Sequence, residues 1–147
     1  MQKHYKLLAN QYIMKKLEKL REKIADIDIE MVDLLKELYE SSDTKDKKRI
    51  YKEVVYKVSE RSSYAVHIGF QKYLEGLPVY NGEIEKEKLH RIGDYSKKIG
   101  LDPEEPKKLL EYLMEVSRTI QIFIHDYLNC CLEDVNNPRS QKIKIKS

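Results

Sequence analysis

The stretch LEKLREKIADIDIEMVDLLKEL, residues 17–38, decides the fold. Its apolar residues Leu17, Leu20, Ile24, Ile27, Met31, Leu34 and Leu38 recur in steps of three and four. On a helix that spacing draws one continuous stripe, which is stable only when it is buried against another helix. No proline interrupts the first 40 residues, so one long helix is expected there. Ser41-Ser42-Asp43-Thr44 ends it, because these side chains compete for backbone hydrogen bonds and cap helices.

Downstream the same period returns three times. A second helix is expected from about Lys45 to Leu74, with Ile50, Val54, Val58, Ala65 and Ile68 inward, stopped by Gly76 and Pro78. After a turn at Asn81-Gly82 a third helix carries Leu89, Ile92 and Ile99. Asp102-Pro103-Glu104-Glu105 is a strong start signal, Asp as N-cap and Pro at the first helical position. The fourth helix is expected to reach about Leu132, burying Leu110, Leu113, Ile120, Ile124 and Leu128. The fold class read from this pattern is an all-α helical bundle, one domain over residues 1–132, with 133–147 a flexible basic tail.

Composition agrees. The chain has 147 residues, 5 Gly, 4 Pro and no Trp, too few turn formers for a β sandwich or small barrel. Charged residues make up 36%, but 28 basic and 25 acidic residues are well mixed and leave only +3, which argues against a nucleic-acid partner. No apolar run is long enough to span a membrane, and MQKHYKLLANQY is not a secretory signal. Cys130 and Cys131 are adjacent, a poor geometry for a stapling disulfide, so a reduced, cytoplasmic protein is expected.

In a bundle the informative residue is a polar one on a buried stripe. Arg61 lies three after Val58 and four before Ala65, and Lys72 follows 11 residues later at nearly the same azimuth. Ser117 and Gln121 stand one turn apart between Leu113 and Ile124, and Arg21 flanks the seam beside Leu20 and Ile24. An inward Arg or Lys is costly unless it is paired or faces a ligand cavity. Internal salt bridges, with Glu60 and Glu85 as candidate partners, are one explanation; a cationic binding pocket is the other.

Three ordered blocks resemble the all-helical, AroQ-type chorismate mutases. LEKLREKIADIDIEMVDLL (17–35) resembles their opening Leu-x-x-Leu-Arg-x-x-Ile-x-x-Ile-Asp helix with its Leu-Leu pair. ERSSYAVHIGFQKYLEGLPVY (60–80) resembles the next block, with Arg, Ala, Ile-Gly, Lys and Gly-x-Pro-Val in step. GLDPEEPKKLLEYLMEVSRTIQ (100–121) resembles the closing block, with Gly-Leu-Asp-Pro-Glu and a final Ser-x-x-x-Gln. The resemblance implies an isomerase of aromatic amino-acid biosynthesis, in the shikimate pathway, that converts chorismate to prephenate. It implies no cofactor and no metal, because the rearrangement is pericyclic. It also implies roles: Arg21 and Arg61 hold the two substrate carboxylates, and Lys72 reaches a carboxylate and the ether oxygen. Glu85 lies near the substrate hydroxyl, Ser117 near a carboxylate, and Gln121 faces the ether oxygen.

The chain departs from the family pattern in three places. Asn81 stands where the family usually has Asp, and Ile84 where it has Arg, which bears on the contacts around the hydroxyl. About 23 residues, 36–58, look inserted between the Leu-Leu pair and Arg61, splitting the long first helix into a hairpin. The midpoint of Arg21 and Arg61 is residue 41, so a turn there is expected to bring both arginines to one height within a single chain. A monomer with an intrachain site is then expected, or a domain-swapped homodimer using the same contacts. Two relatives of that reading are an isochorismate pyruvate lyase, compatible with Arg61 and Tyr64, and a non-catalytic binding or regulatory protein. Arg118 and His125 loosely resemble the Arg–His motif of HEPN ribonucleases, a spacing that arises readily by chance in charged helices.

Overall fold

A computed structural model describes residues 2–136 of the chain. It consists, over those residues, of four helices and no strand: α1 (Gln2–Glu40), α2 (Thr44–Glu75), α3 (Gly82–Lys98) and α4 (Glu104–Asn136). The expected breaks fall where the capping chemistry put them. Asp43 caps α2, its side chain accepting from the Lys45 amide, and Gly76 ends the helix in the left-handed conformation at φ 65°. Asn81 caps α3 by accepting from the Ile84 amide at 3.3 Å. Asp102 accepts from the Glu104 amide at 3.1 Å. α4 continues to Asn136, past the expected stop near Leu132, so the first residues assigned to the tail are helical. The rest of that tail, 137–147, lies outside the described residues.

The helices alternate in direction. Glu37 meets Arg49, Glu30 meets Lys57 and Asp28 meets Arg61, so α1 and α2 form an antiparallel hairpin. Tyr95 donates to Asp33 at 2.5 Å, tying α3 to α1. Three small clusters form the core: Val32, Ile92, Leu110 and Met114 between α1, α3 and α4; Ile27, Met31 and Leu113 in the middle; Leu17, Ile24 and Ile68 between α1 and α2. The stripes read from the sequence supply most of these residues. Ile120, Ile124 and Leu128 are only half-buried, because α3 is about half the length of the other helices and does not cover that part of α4.

The hairpin register differs from the midpoint expectation. Arg61 lies opposite Asp28, not Arg21, which sits about two turns farther from the connection. The physical reason is charge. Two guanidiniums at one height would repel, whereas this register gives three cation–anion contacts between the helices.

One glycine sets the spacing of α2 against α4. A Cβ on Gly69 would stand 2.9 Å from Ile124 Cδ1 and 3.2 Å from Gln121 Cγ. This close approach brings the following turn of α2, with Lys72, within reach of Gln121. Gly69→Ala should be near neutral in urea unfolding, since about 0.5–1 kcal/mol of helix propensity offsets the crowding. Gly69→Val, which cannot avoid Gln121, should lose about 1–3 kcal/mol; equal stability of the two variants would contradict the close packing.

Candidate functional site

The polar residues that interrupt the stripes converge on one cleft. It is lined by Arg21 and Ile24 of α1, Arg61, Ile68 and Lys72 of α2, and Met114, Ser117, Arg118 and Gln121 of α4. Val79, Asn81, Ile84, Glu85 and Lys88 close it from the connection and the first turns of α3. The space between these residues, counted out to its open mouth and including solvent, is about 530 Å³. All seven residues read from the sequence, Arg21, Arg61, Lys72, Asn81, Glu85, Ser117 and Gln121, line it, and all belong to one chain.

Arg61 is 3% exposed and almost fully committed to the protein. Its Nε donates to Asp28 Oδ1 at 2.7 Å and its Nη2 to Oδ2 at 3.5 Å. Its Nη1 donates to the Leu113 carbonyl at 3.1 Å and to Ser117 Oγ at 2.5 Å. One Nη2 N–H of the five guanidinium donors is left for a ligand. The candidate partner Glu60 is not used; it lies beside Lys57, one turn away on the outer face. Asp28, 4% exposed, takes that place, because Glu60, the residue just before Arg61, turns to solvent while Asp28 faces in.

Lys72 is buried at the opposite end of the cleft. Its ammonium donates to the Val79 carbonyl at 2.8 Å and to Gln121 Oε1 at 3.0 Å. The left-handed turn at Gly76 folds the chain back so that Val79 can reach it. Burial, then the charges of Arg21 and Lys88, lower its pKa from 10.5 to about 8, against the attraction of Glu85. Gln121 accepts with its oxygen, which leaves its amide N–H groups to donate elsewhere.

Glu85 is held in place by Arg118, whose Nη1 donates to both carboxylate oxygens at 3.0 Å. The same guanidinium lies over the Tyr80 ring, 5.3 Å from its centroid. Asn81 lines the cleft with its Oδ1 already spent on capping α3. The Arg118–His125 pair does not form a site: Arg118 serves Glu85, and His125 packs edge-on against Tyr73 at 5.3 Å. Cys130 and Cys131 are unpaired. Among the described residues no group of His, Cys, Asp and Glu could hold a metal ion, and no helix is long and apolar enough to cross a membrane.

Two residues escaped the sequence reading, Asp28 and Lys88, and Arg118 entered it only through its spacing from His125. Asp28 lies four after Ile24 and three before Met31, and Lys88 lies midway between Ile84 and Ile92. The stripe rule that found Arg61 therefore reaches both. What the cleft can do follows from its charges: five cations converge, only Glu85 and the Asp28 behind Arg61 oppose them, and the positive excess suits a small anion.

Asp28→Asn keeps the shape but leaves Arg61 charged and uncompensated, and should lose about 3–5 kcal/mol in denaturant unfolding. Adding Arg61→Met to that variant should restore part of the loss. Unchanged stability of Asp28→Asn would contradict the pairing.

Comparison with protein families gives one match: the model described as chorismate mutase type II covers residues 47–122, just over half of the chain. It spans Arg61, Lys72, Asn81, Glu85, Ser117 and Gln121, and begins within the stretch read as inserted; Arg21 and Asp28 lie before it. No curated protein and no solved structure matches.

Proposed function

Since the chain belongs to the chorismate mutase type II family, we propose that it is itself a working mutase, isomerising chorismate to prephenate in the α1–α4 cleft. The observation that carries this reading is the Lys72–Gln121 pair, an ammonium and an amide buried side by side at the end of a cationic cleft.

The reaction is a concerted rearrangement in which one C–O bond breaks as one C–C bond forms. No proton, metal or nucleophile is needed. Negative charge grows on the ether oxygen in the transition state, and donors already fixed in a water-poor site stabilise it without reorganising. Lys72 and the Gln121 amide supply those donors. Arg21 and the remaining N–H of Arg61 bind carboxylates, which selects the compact conformer and contributes through orientation. Glu85, held by Arg118, accepts from the substrate hydroxyl, and Ser117 supports a carboxylate from its place on Arg61. Ile84 offers the hydroxyl region only an apolar wall, so Glu85 carries that contact without help from residue 84. One chain contains every group this scheme uses.

Loss of chorismate absorbance on adding the purified chain tests the reading. Gln121→Glu should lower turnover at neutral pH by about 10²–10³-fold and recover it in acid, because ionised Glu accepts but cannot donate. Full activity of that variant at neutral pH would remove Gln121 from the ether oxygen. Lys72 is protonated below about 8 and neutral above it. Substrate affinity and kcat/KM should therefore fall as pH rises through about 8, and a flat profile from about pH 6 to about pH 10 would contradict a charged Lys72 at the reacting oxygen.

A further inference from the structure

The cleft holds one more cation than the roles above require, and it is half-buried. Lys88 projects from α3 one turn after Ile84, and lines both this cleft and a neighbouring groove between α1 and α3. Arg21 lines both spaces too, so the two side chains flank the shared mouth from opposite helices. Neither makes a hydrogen bond or ion pair among the described residues. The inner acids that could serve them are taken, Asp28 by Arg61 and Glu85 by Arg118. The acids of the outer groove, Glu18, Glu22 and Glu87, stand beyond ion-pair distance.

An ammonium in such a place is unfavourable in the empty protein. Burial, then Arg61, and also Arg21, lower the Lys88 pKa, while Asp28 and Glu85 only partly oppose them. Ile84 on one side and Met114 across the cleft offer it no polar partner. A side chain held there at a cost, with no structural contact to justify it, is explained when a bound anion completes its surroundings.

We propose that Lys88 is a substrate-binding residue, its ammonium gripping one carboxylate of the ligand together with the Arg21 guanidinium at the mouth of the cleft. The inference rests on the dicarboxylate reading of the site and adds a division of labour to it. Lys72 and Gln121 serve the reacting oxygen at the inner end, and Arg21 and Lys88 anchor the far carboxylate. α3 thereby supplies its cation one turn beyond residue 84, where the family pattern has its arginine.

Calorimetric titration of chorismate into the parent chain, Lys88→Met and Lys88→Arg tests this. Lys88→Met should raise Kd by roughly 10- to 100-fold, the worth of a hydrogen bond to a charged group, and Lys88→Arg should recover most of the affinity. Without ligand, Lys88→Met should melt at a higher temperature than the parent, because it removes an uncompensated, half-buried charge; a residue held for structure would melt lower. Unchanged affinity in Lys88→Met, or a lower melting temperature with unchanged affinity, overturns the proposal. If the parent does not bind chorismate, the mutase reading fails, and titration with succinate then decides the Lys88 inference alone. Succinate affinity lost in Lys88→Met sustains a carboxylate site; affinity kept, or no succinate binding by the parent, overturns it.

Discussion

The buried contact between Arg61 and Asp28 is the constraint on which the rest of the structure depends. One guanidinium joins three helices: α2 carries it, α1 supplies Asp28, and α4 supplies the Leu113 carbonyl and Ser117. Taking a charge pair out of water costs several kcal/mol per ion, and only near-complete hydrogen bonding repays it. Arg61 meets that condition by spending four of its five N–H groups on the protein. A helix sliding by one turn would strand both charges, so the pair selects one register of the bundle.

The electrostatics of the cleft follow from that register. With Asp28 consumed by Arg61 and Glu85 by Arg118, no inner acid is left for Arg21, Lys72 or Lys88. The cleft is positive because its negative groups have structural duties. Its inner end is shaped by backbone devices: Gly69 lets α4 approach, and the Gly76 turn aims the Val79 carbonyl at Lys72. These contacts hold the Lys72 ammonium and the Gln121 amide before any ligand arrives, as electrostatic catalysis requires.

The fold was legible because apolar stripes and caps are local signals. Ser41 to Thr44, Gly76 and Asn81 mark breaks that need no tertiary knowledge. Arg61, Lys72, Ser117 and Gln121 were legible for a related reason: each breaks an otherwise apolar stripe. Asp28 was hidden because it shares Asp26-Ile27-Asp28 with a second aspartate that faces solvent. Lys88 was hidden in the alternating run Glu85-Lys86-Glu87-Lys88, which reads as a solvated face until the helix phase is known. The height of Arg21 against Arg61 was not legible at all. It depends on which charges meet across the hairpin, and counting to a midpoint carries no information about that.

We propose that one folded chain encloses a complete site for the rearrangement of chorismate. Proton magnetic resonance of chorismate mixed with the purified chain, repeated over a dilution series, tests it most directly. Chorismate signals should give way to those of prephenate at a rate per chain that dilution leaves unchanged. Chorismate decaying at its uncatalysed rate beside folded protein, or a rate per chain that collapses on dilution, would contradict it.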